Sequence, residues 1–132
     1  MDANEEPSRE LDGLANAVIS AAIEVHRYLG PGYLESVYEE ALGIELSRRK
    51  TAHQQQRPIS VEYKGQAVGE GKLDLLVNDQ LVVELKAVET LLPVHKAQLI
   101  SYLKATKLHL GLLINFNTPV LRDGIQRVVY TN

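Results

Sequence analysis

Asp74, Glu84 and Lys86 are spaced to act as one chemical group, in the stretch over residues 71–86 that reads GKLDLLVNDQLVVELK. Two runs rich in Leu and Val flank Asn78-Asp79, residues that tolerate the backbone angles of a tight turn, so the stretch predicts a β-hairpin. Alternation puts Leu73, Leu75 and Val77 on one face with Leu81, Val83 and Leu85, and that wholly apolar face must be core. The other face carries Lys72, Asp74 and Leu76, then Val82, Glu84 and Lys86. With Asn78, Asp79 and Gln80 in the loop, Asp74 lies directly opposite Glu84. Two opposed carboxylates repel unless a cation sits between them, and Lys86 stands two residues along the same face. On a hairpin with one wet face such charges are usually just solvated. Here Leu76 and Val82 flank them, which implies that something covers the face, and a covered carboxylate needs a partner.

The covering element is a helix read from about Pro93 to Thr106, opened by a proline that suits the first turn. It leaves the strand bearing Glu84 and Lys86 and packs back on the same sheet. Gln98 and Tyr102, four apart, share a face of it, with His95 one turn before and Leu99, Ile100 and Leu103 for packing. A Gln and a Tyr at that spacing are common on any half-exposed helix, so the pair gains meaning only beside the carboxylates.

Upstream, Leu11, Leu14, Ala15, Val18, Ala22, Val25 and Leu29 mark an amphipathic helix from about Arg9, ended by Gly30-Pro31-Gly32. His26 borders that stripe and reads as a structural residue at the core edge. A second helix, from about Tyr33 to Arg49, turns Leu34, Val37, Tyr38, Ala41, Ile44 and Leu46 inward. Glu35 falls in its first turn, where the helix dipole favours a carboxylate, and it borders the apolar stripe within reach of a site beneath. Thr51 to Arg57 reads as a polar connection. Ile59, Val61 and Tyr63 then alternate as a strand that turns back at Lys64-Gly65. The apolar run Leu108 to Ile114 predicts a buried strand, parallel to strand 81–87 because a helix crosses over between them. Asp123-Gly124 turns the chain into an edge strand, Ile125 to Tyr130, which another copy can pair with. The order α-α-β-β-β-α-β-β predicts an α/β fold, a mixed sheet flanked by helices.

With 132 residues, 45% of them hydrophobic and 23% charged, the chain predicts a single domain over residues 9–132 after a disordered tail at 1–8. The absence of cysteine excludes disulfides, thiolate zinc sites, iron–sulfur clusters and cysteine nucleophiles, and points to the reducing cytoplasm. An acidic, polar N-terminus and the lack of a long apolar run argue against a signal peptide and a membrane partner. The net charge of −3 supplies no global field for nucleic acid, leaving only local basic patches to bind it.

Asp74, a nine-residue gap, Glu84-x-Lys86 and then Gln98-x-x-x-Tyr102 together resemble the PD-(D/E)XK nuclease superfamily, and the Gln-x-x-x-Tyr element its recombination and CRISPR-adaptation exonuclease branch. From about residue 14 to 129 the chain also resembles the small bacterial GxxExxY family of that superfamily. The namesake motif stands as Gly32-x-x-Glu35-x-x-Tyr38, and EYKGQAVGEGKLDLLV, VVELKAVE, AQLISYLKAT and GLLINF follow in order. Leu73 replaces the usual proline before the aspartate. The resemblance implies a restriction-endonuclease-like core and Mg²⁺ or Mn²⁺ held by Asp74, Glu84, the Leu85 carbonyl and Glu35. It implies a catalytic role for Lys86, with Gln98 and Tyr102 positioning the metal or the nucleic-acid backbone. The expected function is a metal-dependent phosphodiesterase acting on nucleic acid, DNA ahead of RNA, alone, as a homodimer or within a larger complex. The alternative is a catalytically silent module of the same fold that binds nucleic acid or a protein. A regulatory domain for small phosphorylated ligands is weaker, for want of a Gly-rich phosphate loop.

Overall fold

A computed structural model describes residues 7–131. Of the expected N-terminal tail, residues 1–6 lie outside the described residues, while Pro7 is buried and Ser8 caps the first helix. The Ser8 hydroxyl accepts from the Leu11 amide at 3.2 Å, satisfying one of the donors a helix start leaves free.

Helix α1 spans Arg9–Leu29 and α2 spans Glu35–Arg48. Strands β1 (His53–Tyr63), β2 (Gln66–Val77) and β3 (Leu81–Lys86) follow, then α3 (Pro93–Thr106) and β4 (Leu110–Asn115). A 3₁₀ turn at Leu121–Gly124 leads into β5 (Ile125–Val129). The five strands lie in sequence order, antiparallel except for the β3–β4 pair, which is parallel as a helical crossover requires. Helices α1 and α2 pack on one face, against Leu75, Val77, Leu81, Val83, Leu85 and the even positions of β4. Helix α3 packs on the other, where Leu99 and Leu103 meet Leu76, Val82 and Leu113.

The central hairpin closes as its residues dictate. Asn78 and Asp79 take φ of 51° and 56°, and the Gln80 amide donates to the Val77 carbonyl at 3.0 Å. Leu75 pairs with Val83 and Val77 with Leu81, the register that sets Asp74 against Glu84.

Three local expectations are corrected. Leu73 does not share a face with Leu75 but packs under α3 with Leu76 and Val82. The cause lies at Asp74: the β1–β2 ladder goes from Gln55–Leu75 to Arg57–Leu73, passing over Gln56 and Asp74, and Gln56 has φ of 52°. Such a kink breaks the two-residue alternation of faces. The segment Thr51 to Arg57 is not a connection throughout, since β1 begins at His53 and β2 is continuous from Gln66. On α2, the buried row is Tyr38, Leu42 and Leu46, while Leu34, Val37 and Ile44 are exposed by 77%, 38% and 61%.

Candidate active site

The β2–β3 pairing stops at Leu75–Val83, and past that point the two carboxylates take over the work of the ladder. Glu84 Oε2 accepts from the Asp74 amide at 2.8 Å, and Asp74 Oδ2 accepts from the Leu85 amide at 2.8 Å. Each acid is therefore fixed by the other's strand. Val82 and Glu84 face α3, and Glu84 is 4% exposed, so the acid is enclosed by the helix that the sequence placed there.

Helix α3 supplies the rest. Lys86 Nζ donates to Gln98 Oε1 at 3.5 Å, and Gln98 Nε2 donates to the Tyr102 hydroxyl at 3.2 Å. The Tyr102 ring packs closely on β2 at Gly71, which has no side chain to crowd it. A Cβ there would sit 3.0 Å from Tyr102 Cε1. The start of α3 is set by His95, whose Nδ1 accepts from the Leu92 amide at 3.0 Å.

Glu35 arrives from the opposite layer at the N-terminus of α2. The loop before it is pinned by Tyr38, whose hydroxyl donates to the Gly30 carbonyl at 2.6 Å and accepts from the Tyr33 amide at 3.1 Å. The Tyr38 ring stacks on Phe116, with centroids 4.5 Å apart and planes at 11°. Gly32 lies between, at φ of 111°, a conformation that needs glycine. The Gly-x-x-Glu-x-x-Tyr spacing thus has a local meaning: glycine turns the chain, tyrosine pins it, and the glutamate is delivered to the sheet end. His26 has the structural place expected of it, with Nε2 donating to the Thr118 carbonyl at 2.8 Å.

The carboxylates behave electrostatically as one cluster. Burial, then the charge of Asp74, pushes Glu84 up to about 8, against the pull of the Asp74 amide and Lys86. Burial also raises Asp74, which the Leu85 amide, Lys86 and Gln56 partly offset. Glu35 is raised by burial and next by Asp74, while Lys86 draws it down. Burial and the charges of Glu84 and Asp74 raise the Tyr102 hydroxyl. All six residues singled out from the sequence, with the Leu85 main chain, are thus tied to one another by hydrogen bonds or by charge.

Sequence reasoning missed two supports. Gln56 Nε2 donates to Glu39 Oε1 at 2.7 Å and to Asp74 Oδ1 at 3.4 Å, linking α2 to the aspartate. The only sequence sign was the Gln54-Gln55-Gln56 run, whose significance needs β1 to begin before it. Asn115, 2% exposed, clamps the chain after Lys86: its Nδ2 donates to the Val88 carbonyl at 2.8 Å and its Oδ1 accepts from the Val88 amide at 3.0 Å. An apolar strand ending in Asn gave no such hint.

The oxygen donors offered to a cation are the Asp74–Glu84 pair, with Glu35 coupled to them. Among the described residues no three His, Cys, Asp or Glu side chains are grouped to hold an ion. The pair suits a hard divalent ion in donor type, and the repulsion of Asp74 with Glu84 and Glu35 is what such a charge would relieve.

A five-stranded mixed sheet flanked by helices, with Asp, Glu-x-Lys and Gln-x-x-x-Tyr at one strand end, defines a restriction-endonuclease-like α/β protein. The family profile of the PD-(D/E)XK nuclease superfamily matches residues 12–128, and the chain belongs to that superfamily. Its members generally use divalent metal ions. No curated protein matches the chain significantly. Among the described residues no helix is long and apolar enough to cross a membrane.

Proposed function

We propose that this protein is a metal-dependent phosphodiesterase of the GxxExxY kind, acting on nucleic acid, DNA ahead of RNA, in the cytoplasm. The observation that carries the reading is the reciprocal bracing of Asp74 and Glu84 beneath Gln98 and Tyr102, with Lys86 beside them. Asp74, Glu84 and the Leu85 carbonyl would hold Mg²⁺ or Mn²⁺, with Glu35 completing the site directly or through water. Such an ion would supply Lewis acidity for the phosphodiester and for the attacking water. Lys86 orients that water and stabilises the charge that grows on the phosphate. Gln98 holds Lys86 in place, and the Tyr102 hydroxyl donates to a phosphate oxygen.

A second reading, a catalytically silent binding module, is favoured by one feature: both carboxylates already bond main-chain amides within the protein. Incubation with Mn²⁺ and short oligonucleotides, single- and double-stranded, separates the two. The wild type is expected to nick or degrade them. Lys86→Ala should lose cleavage by at least roughly a hundredfold yet keep its metal, because Lys86 is not a ligand. Glu84→Ala should lose both. Equal cleavage by wild type and Lys86→Ala, purified side by side, would hand the function to the silent module.

A further inference from the structure

An open groove of about 840 Å³ lies between α3 and the β1–β2 ribbon. Its apolar surface comes from the half-buried Ile59 and Leu108, backed by the buried Leu73 and Leu76. Three cations, Arg57, Lys104 and Lys107, line it with two acids, Glu62 and Asp79. In a chain with a net charge of −3, this is a local basic excess. The groove lies beside the carboxylate site: its Ile59 and the site's Tyr102 both pack on the Leu73–Leu76–Val82 cluster and meet over Gly71, where a Cβ would sit 3.4 Å from Ile59 Cγ1 and 3.0 Å from Tyr102 Cε1.

The ribbon carries the same character outward. Ile59 pairs with Gly71 and Val61 with Gly69, so no side chain of β2 stands opposite either apolar residue. At the tip, Tyr63 is 63% exposed, with the Lys64 ammonium 5.4 Å from its ring centroid. Apolar side chains beside cations and an exposed aromatic suit base faces and phosphates together.

We propose that this groove seats a single-stranded polynucleotide and leads it to Asp74, Glu84 and Lys86. The occupant's chemistry rests on the phosphodiesterase reading; the strandedness and the path are new. A duplex hides its base faces within the stack and offers phosphates outward, so it has nothing to place on an apolar surface. An unpaired strand offers both, bases to Ile59 and Leu108 and phosphates to Arg57, Lys104 and Lys107. Tyr63 gives a base a stacking partner at the far end.

The test is fluorescence anisotropy on full-length protein in the Lys86→Ala background with Mn²⁺, so that binding is read without turnover. The probes are a fluorescein-labelled oligothymidylate of roughly 12 nucleotides and a duplex of the same length. The single strand is expected to bind at least about tenfold more tightly than the duplex. Lys104→Gln with Lys107→Gln should weaken single-strand binding about tenfold and lower the salt slope by about 1.4, two contacts at ~0.7 each. Both lysines are exposed, so melting should not move; Arg57→Gln, a separate single-site variant, should act in the same direction. Equal or tighter duplex binding, or single-strand affinity untouched in both variants, overturns the proposal. The two readings fail separately. Cleavage by otherwise wild-type protein with a KM unaffected by the double variant removes the groove and keeps the nuclease. Groove-dependent binding without any cleavage keeps the groove and removes the nuclease.

Discussion

Glu84 is an acid the fold holds in its neutral form. Its folded pKa, about 8, lies above the ordinary 4.5, so between these values the folded state binds more protons than the unfolded one. Stability from this group is therefore fully present below about pH 4.5 and is lost as pH rises towards 8. Asp74 and Glu35, also raised, act in the same direction. In chelator, the protein should unfold at lower denaturant at pH 8 than at pH 5.5, by roughly 2 kcal/mol or more, since each tenfold change in proton affinity is worth about 1.4 kcal/mol. Glu84→Gln should flatten that dependence; a slope unchanged in the variant would place the titrating group elsewhere. Added Mn²⁺ should reverse the trend, because ion and proton compete for the same oxygens and a ligand of the folded state stabilises it. In Asp74→Asn the metal-induced rise in melting temperature should vanish. A rise that survives would put the ion away from the hairpin.

At the scale of elements, the question is how α2 holds Glu35 over the sheet end. Tyr38→Phe keeps the stack on Phe116 but strips the hydroxyl from the Gly30 carbonyl and the Tyr33 amide. It should cost about 1–2 kcal/mol in urea unfolding and reduce the metal-induced rise in melting temperature, because the loop before Glu35 is freed. An unchanged rise would mean that Glu35 takes no part in the site. The same helix marks where sequence reading stops. Its apolar residues fall at 34, 37, 38, 41, 42, 44 and 46, nearly all round, so periodicity cannot choose the Tyr38–Leu42–Leu46 row from the Leu34–Val37–Ile44 one. The hairpin was legible because turn residues fix its register, and register fixes which acids oppose. The kink at Asp74 was not, because it arises from β1 pairing with β2, and Gln56 carries no mark of its positive φ. Gln98 and Tyr102 were legible through helical spacing alone, whereas their seat on Gly71 depends on how close α3 approaches β2.

Across the whole molecule, the sheet is supported unevenly. Strands β3 and β4 are buried along nearly their full length, with helices on both faces. The outer part of the β1–β2 ribbon, residues 59–70, has no buried residue, and Val61, Tyr63 and Val68 stand exposed at its end. A two-stranded ribbon without a core on either face is marginal on its own, so it should open far more often than the centre. Hydrogen exchange should show that order: amides of Val83, Leu85 and Leu112 slowest, and those of Val61 to Gly69 fastest, by at least roughly a hundredfold. The difference bears on function, since a loosely held arm beside a rigid acid pair can adapt to a bound strand without disturbing the pair. Oligothymidylate should slow exchange in the ribbon and leave β3 and β4 unchanged. Protection confined to α1 and α2 instead would mean that the strand lies on the opposite layer, and that the ribbon serves another contact.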